Sequence, residues 1–349
     1  MSILTRHSMA LLITDRDVHK LLSMGDAIDA AELALRELHQ GNATNRPRQQ
    51  FYADNRDALF MMRHFQGAIP KLGVMGLRIT TDVIGAKVHK PELRSFGSFM
   101  LFDLNTAELL AIVHDHELQR MRVGAETGVA ARYLSRDDVK TVALLGSGYQ
   151  AETQLAAICT VRAIERVLIY SPTESNRKAF AATQRKKLGV PITAVDSARQ
   201  AVEAADLVLA STNASSPVLD GNWLKEGSHV TSIVNSDQRI PRRELDNRTF
   251  ARAAVVGLGS VEQCKQDQAA DIFEAIEAGA LSWERVCEIG DVIVGKHCGR
   301  MDDNQVSVYK NNGLAIEFVA LASKVYQLAR ERGAGEEIPA HYFSGRRAN

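Results

Sequence analysis

The sequence predicts an α/β chain: a doubly wound parallel sheet joined to an α+β domain. Three observations carry this. From Val139 onward, short apolar runs alternate with helical stretches at the spacing of βαβ units. A glycine-bearing turn, Gly146-Ser-Gly148-Tyr-Gln-Ala151, sits between the first of these strands and the first helix. Ahead of Leu118 the chain has helical and strand-like stretches but no parallel-sheet rhythm. A chain of 349 residues is also too long for one compact core, so two domains are expected.

Taken in order, the apolar stretch Met9–Ile13 is too short for the core of a secretory signal. It runs at once into Asp15, Arg16 and Asp17, so no signal is expected. Ser23 to Leu38 reads as an amphipathic helix with Ser23 or Asp26 as N-cap and Gly41 just past its end. The polar stretch Asn42–Gln50 then leads into strands expected at Leu59–Met62, Val74–Thr80 and Phe96–Phe102. An Ala- and Gly-rich helix begins near Leu118 and ends near Arg136. Val139–Leu145 suits a strand buried on both faces. The helix TQLAAICTVRAI and the strand RVLIYS follow the glycine turn. Then come AFAATQRKKL as helix, ITAV as strand, ARQAVEAA as helix, and DLVLAST, HVTSIV and AAVVGL as strands. Beyond Gly259 the stretches VEQCKQDQ, DIFEAIEAG and ERVCEIGDVIVG read as helical. A short strand at Gln305–Tyr309 precedes a long helix, Gly313–Arg332. Its apolar Leu314, Phe318, Leu321, Val325 and Leu328 suit a return to the first domain. The expected division is therefore residues 1–121 with 310–349 in one domain and 122–309 in the other.

Lys and Arg number 42, as do Asp and Glu. That balance argues against nucleic-acid or membrane partners, either of which brings a basic excess. No stretch approaches the ~20 apolar residues of a membrane helix. The four cysteines, Cys159, Cys264, Cys287 and Cys298, show no CxxC spacing, so neither a disulfide framework nor a zinc site is implied. A reducing, cytoplasmic setting is the expectation.

The turn carries the chemistry. In GxGxxA, Gly146 permits the tight bend, Gly148 lets backbone approach a pyrophosphate, and Ala151 lets the helix pack close to the sheet. The phosphates then meet the unpaired N–H groups of the helix N-terminus. Strand, turn and helix in that order mark a Rossmann dinucleotide site. Its candidate contacts are Gly146, Ser147, Gly148, Tyr149 and Gln150, with Ser171, Thr173 and Arg177 after the second strand and Thr212 and Asn213 after DLVLAST. The cofactor is NADP or NAD. The second strand ends in Tyr170-Ser-Pro-Thr without the carboxylate that NAD sites place there, and Arg177 follows, which favours NADP.

Residues Gly76 to Ala329 resemble the ornithine cyclodeaminase/μ-crystallin family. The marks are SFMLFDLNTAELLAIV, LQRMRVGAETGVAARYL, VALLGSGYQAETQLAAI, AVEAADLVLASTNASSPVLDGNWLKEGSHV, RREL, GDVIVGKHCGR and VSVYKNNGLAIEFVA, in that order. The resemblance implies a homodimer, with the N-terminal part and the returning helix forming a substrate-binding, dimer-forming domain. It also implies hydride exchange between a nicotinamide and the Cα of a small amino or imino acid. It places Arg122, and Arg48 with Arg46 close by, as carboxylate-binding arginines, since a guanidinium grips a carboxylate at two points. It places Asp237, just beyond HVTSIV, as the catalytic aspartate. Separately, the Lys310-Asn-Asn-Gly313 step is expected to close the cleft between the domains, with Lys310 a candidate for binding substrate.

The sequence departs from the family at two positions. Arg78 stands where the family has a lysine. It cannot relay a proton, but it can grip a carboxylate, including a second one. Leu59 or Phe60 stands where the cyclodeaminase branch has a glutamate. Both changes favour an imine reductase or amino acid dehydrogenase. A cyclodeaminase with catalytic NAD and an NADPH-binding regulatory protein without turnover are the alternatives. His114-Asp-His116-Glu117 reads as a strand-to-helix loop rather than a metal cluster, because no further ligands are evident. His64 and His89 are candidate pocket residues, and Lys87, His89, Lys90 and Arg94 form one basic loop.

Overall fold

The computed structural model describes residues 9–55, 58–84, 96–234, 236–237 and 239–343. His89 and the basic loop with Lys87, Lys90 and Arg94 lie outside the described residues. The chain divides into two units, one of residues 1–122 and 314–349 and the other of residues 123–313.

The first unit opens with β1 (Met9–Ile13), α1 (Asp15–Leu21) and α2 (Met24–His39). Ser23 caps α2 by accepting the Asp26 N–H, while the Asp26 carboxylate takes the Ser23 hydroxyl proton. The strands β2 (Thr44–Asn55), β3 (Ala58–Ile69), β4 (Val74–Ile84), β5 (Phe96–Asp103) and β6 (Leu109–His114) follow as an antiparallel meander. The polar stretch Asn42–Gln50 is thus no lead-in. Most of it is strand, because the sheet has one face turned away from the core on which polar side chains cost little. Nor is His114-Asp-His116-Glu117 a loop: β6 runs directly into α3 (Asp115–Leu134), which passes from the first unit to the second between Arg122 and Val123.

In the second unit the chain runs β7 (Thr141–Leu145), α4 (Ala151–Val161), β8 (Arg166–Tyr170), α5 (Glu174–Leu188), β9 (Ile192–Ala194), α6 (Ala198–Glu203), β10 (Leu207–Ala210), β11 (His229–Ser232), α7 (Asn247–Arg252), β12 (Ala253–Leu258), α8 (Val261–Asp267), α9 (Ala270–Glu277), β13 (Val286–Glu288), α10 (Ile289–Ile293) and β14 (Val306–Lys310). Val286–Glu288, expected as helix, is an edge strand beside β12; with apolar Val286 and buried Cys287 it is too short for its period to reveal it. The eight strands are all parallel, in the order β13-β12-β14-β11-β10-β7-β8-β9. From β7 the chain winds outward to β9, then returns to lay β10 on the other side of β7. The direction of winding reverses between β7 and β10, and open sheets of this type bind ligands at the carboxyl ends of the strands at such a point.

The chain then re-enters the first unit as α11 (Ala315–Arg332) and β15 (Glu336–Pro339), the latter antiparallel to β1. The first unit's sheet has the order β15-β1-β6-β5-β4-β3-β2. Phe318, Leu321, Val325 and Leu328 of α11 are buried, and the helix begins where the Asn45 side chain accepts the Ile316 N–H (3.1 Å). Among the described residues no helix is long and apolar enough to cross a membrane.

Candidate active site

The second unit holds a cleft of ≈ 510 Å³ at the carboxyl ends of β7, β8 and β10. Nine of the ten predicted cofactor residues line it: Gly146, Ser147, Gly148, Tyr149, Gln150, Ser171, Thr173, Thr212 and Asn213. Gly146 has φ +109°, and a Cβ there would stand 2.2 Å from the Ser211 carbonyl oxygen, so only glycine lets the β7 turn pass the end of β10. Gly148 is different, since a Cβ there would meet nothing within 4 Å. The space over its backbone is open, bounded by the N-terminus of α4 and by the paired hydroxyls of Ser147 and Ser171 (2.9 Å). An open backbone surface at the start of an eleven-residue helix suits a diphosphate.

Arg177 does not line the cleft. It is buried over the Tyr170 ring, with Nη1 donating to the Ser171 carbonyl (3.2 Å) and Nη2 to Asp196 (3.0 Å). Its place is to hold the Ser171 turn rather than to face a ligand. Thr212 lines the cleft, but its hydroxyl donates to Glu244 (2.8 Å) and accepts the Ala214 N–H (3.2 Å), so it shapes the wall.

Behind that wall lies a buried polar hub that the sequence reading missed. The fully buried Glu244 accepts the Thr212 N–H and hydroxyl on Oε1, and the Ser232 hydroxyl and the Ile233 and Val234 N–H groups on Oε2. It thereby pins the chain leaving β10 to the chain leaving β11. Burial pushes its pKa up, opposed by Lys310 and these hydrogen bonds. Lys310, expected to bind substrate, belongs to this hub. Its ammonium donates to Asp271 (2.6 Å), the Val234 carbonyl (2.7 Å) and Ser232 (3.0 Å). An ammonium has three hydrogens, and all three are taken within the sheet edge. Asn311 ties to Val123 and Thr127 of α3, and Asn312 accepts the Gly259 and Ser260 N–H groups. The KNN step therefore braces the second unit. Asp237 is buried beyond β11, its Oδ1 closing a turn by accepting the Arg239 and Ile240 N–H groups (both 2.9 Å).

The first unit gathers three buried arginines around one aromatic pair. Phe65 of β3 and Phe318 of α11 lie 5.6 Å apart. The guanidinium carbon of Arg48 stands 5.9 Å from the Phe65 ring, Arg78 lies 4.9 Å from Phe65 and 4.5 Å from Phe318, and Arg122 lies 5.3 Å from Phe318. Arg48 owes its inward aim to an irregularity in β2. Arg46 pairs with Gln66 and Gln49 with His64, so Pro47 and Arg48 together oppose Phe65 alone. Arg46 lies on the opposite face, lining a shallow cavity with Thr44, Gln66 and Leu77. This separates the two neighbouring arginines.

Arg78 is not an open carboxylate clamp. Its Nε and Nη2 each donate to an oxygen of Asp115 at 2.6 Å. Gly97 of β5 makes the room, since a Cβ there would lie 2.6 Å from Asp115 Oδ2. The second-carboxylate role expected of Arg78 is thus filled from within the chain. Arg122 stands 3.8 Å from the buried Glu317, whose Oε2 caps α11 by accepting the Leu314 N–H. His64 is half-buried on the sheet face away from Phe65, one residue out of its register, and so points away from the arginines.

Comparison with known proteins joins these geometries to one lineage. Residues 8–333 match the model of the ornithine cyclodeaminase/mu-crystallin family. The chain is 32% identical over 332 residues to a Delta(1)-pyrroline-2-carboxylate reductase of Bacillus cereus, covering 94% of this chain and 99% of that one. The solved structure of Thermococcus litoralis Delta(1)-pyrroline-2-carboxylate reductase, in complex with NADH and L-proline, superposes with a TM-score of 0.86 at 31% identity, covering 94% of this chain and all of that one. An archaeal alanine dehydrogenase dimer with bound NAD superposes with a TM-score of 0.83 at 27% identity, covering 95% and 99%. With nearly its whole length matched, the chain belongs to the ornithine cyclodeaminase/mu-crystallin family.

Proposed function

We propose that this chain is an NAD(P)-dependent oxidoreductase transferring hydride between a nicotinamide and the Cα of a small imino or amino acid, with a cyclic α-imino acid as its substrate class. The observation that carries the reading is the cleft at the β7/β10 reversal, open over the Gly148 backbone. The similarity to pyrroline-2-carboxylate reductases supports the substrate class. When bound, the reduced nicotinamide supplies the hydride.

The chain's own residues do the rest. The Gly146–Gln150 turn and the α4 N-terminus hold the diphosphate. Arg48 and Arg122 hold the substrate carboxylate beside Phe65 and Phe318, where low polarity strengthens the ion pair. The Arg78–Asp115 pair keeps that surround in shape and adds no second carboxylate site, which favours a monocarboxylate. Asp237 sets a negative group against the positive iminium that must accept hydride at Cα. Among the described residues no carboxylate lines the cofactor cleft to repel a 2′-phosphate, so NADP(H) is taken in preference to NAD(H).

The deciding experiment follows nicotinamide absorbance while Δ1-pyrroline-2-carboxylate, pyruvate with ammonia, and oxaloacetate with ammonia are offered to each reduced cofactor. Oxidation fastest with the cyclic imine is the expected result. Ammonia release from ornithine without net absorbance change would instead assign a cyclodeaminase, and tight binding without turnover a regulatory protein. Asp237→Asn keeps the oxygen that closes the turn and removes the charge. It is expected to lower kcat by about 10²-fold, the scale of one electrostatic group in a closed site, with an unchanged melting temperature. An unchanged kcat would leave Asp237 to the turn alone.

The first unit supports a homodimer. The sheet face away from α11 presents Phe51 and Phe96, each 57% exposed, with Phe60 and Met62 between them. A second copy covering this face removes these exposed apolar side chains from water.

A further inference from the structure

We propose that Asp15, His114 and His116 form a binding site for one divalent transition-metal ion of the Zn²⁺, Ni²⁺ or Co²⁺ kind. The residues come from three rigid ends: the first residue of α1, the last of β6 and the second of α3. One ligand atom from each lies within 4.8 Å of the others. Both imidazoles turn Nδ1 toward the same carboxylate oxygen, Asp15 Oδ2, at 2.7 Å for His114 and 3.6 Å for His116. Their rings stand edge to face, 5.0 Å apart.

The carboxylate is oriented from outside the group, since Asp15 Oδ1 accepts the Glu117 N–H at 2.9 Å. That contact leaves Oδ2 directed at the two rings, and hydrogen bonding of this kind fixes metal ligands elsewhere. Two imidazole nitrogens and one carboxylate oxygen form a borderline donor set. It suits zinc-like ions and is a poor match for Mg²⁺ or Ca²⁺, which require oxygen ligands. All three side chains are between 32% and 44% exposed, so water can complete the coordination.

The position gives the ion a consequence. Asp115 lies between the two histidines and points the other way, into its bidentate pair with Arg78. An ion joining His114, His116 and Asp15 would fasten the β6–α3 junction to α1 and fix the residue that holds Arg78.

The test uses untagged full-length protein stripped with chelator, then titrated with ZnCl₂ by calorimetry and by thermal melting. One Zn²⁺ per chain, with a raised melting temperature, is expected, and millimolar MgCl₂ should leave the melt unchanged. A His114→Gln/His116→Gln variant should weaken that Zn²⁺ binding at least 100-fold. Its melt in chelator should match the parent's, showing that it folds. Zn²⁺ bound equally well by the variant places the ion elsewhere, at the exposed Cys298 for instance, and overturns the proposal. So does the absence of any saturable binding, which would leave His114 and Asp15 as an ordinary ion pair. Asp15→Asn, which keeps the Glu117 contact, supplies a second variant and is expected to lose affinity in the same way.

Discussion

Gly146 and Gly148 stand two residues apart in one turn, yet a side chain at each should fail for a different reason. At Gly146 the backbone is left-handed and the Ser211 carbonyl blocks the Cβ position. Gly146→Ala therefore combines strain with overpacking and should cost roughly 2–4 kcal/mol by urea unfolding. At Gly148 the Cβ position is empty. Gly148→Val should keep stability within about 1 kcal/mol and still lose reduced-cofactor affinity, read by fluorescence titration, because its methyls fill the space over the turn. Normal cofactor affinity in that variant would remove the diphosphate from this place. Arg78 answers to another rule. Arg78→Ala leaves Asp115 buried without its fork, and breaking one partner of a buried pair costs about 3–5 kcal/mol. Arg78→Ala/Asp115→Ala should be less destabilised than Arg78→Ala alone. Additive losses in a double-mutant cycle would mean that the two residues do not act as a pair.

Elements differed in how far the sequence revealed them. The central parallel strands of the second unit were legible, unlike the edge strand β13, because strands covered on both faces are unbroken apolar runs, as in TVALL and LVLA. The turn between β7 and α4 was legible because Gly146 answers to local backbone geometry. β2 was not, since eight of the twelve residues of TNRPRQQFYADN are polar or charged and Pro47 sits inside it. Proline is tolerated there because β2 is the edge strand of its sheet and is irregular at that point, and the same irregularity turns Arg48 inward. The partners of Arg78 and Lys310 were also hidden. Asp115 is 37 residues from Arg78, and Asp271 is 39 from Lys310. Nothing in local spacing shows that a cation is already neutralised by an acid so far along the chain. The outward face of β2, β3 and β5 makes its own prediction. Met62 lies directly across from Phe51, and Met62→Asp sets a charge in the middle of the apolar face. The dimer expected for the parent in analytical ultracentrifugation should shift to monomer at micromolar concentration. A variant that stays dimeric would move the interface off this face.

At the scale of the whole molecule, equal numbers of acidic and basic residues leave little net charge near neutrality, so stability should respond to pH through particular buried groups rather than general repulsion. His229 is the strongest of these. It lies at the start of β11, completely buried, and its hydrogen bonds define a neutral ring. Ser307 gives its proton to the Leu134 carbonyl and so accepts from His229 Nδ1, while Thr231 donates to Nε2. Burial, helped by the positive charges of Arg300 and Arg162, pushes the pKa down to about 3 from an ordinary 6.5. The unfolded chain therefore takes up a proton below pH 6.5 that the folded chain refuses until near pH 3. Protons bound in the unfolded state exceed those bound in the native state throughout that window, so stability rises with pH across it and is complete only above pH 6.5. One proton corresponds to ~1.36 kcal/mol per pH unit. Between pH 6.5 and 5, above the range where most carboxylates titrate, the loss should approach roughly 2 kcal/mol in urea-derived stability. His229→Asn keeps an amide donor toward Ser307 and removes the titration, so its stability should start lower at pH 7.5 but stay nearly flat down to pH 5. Equal slopes for parent and variant over that interval would show that His229 is not the group that senses acid.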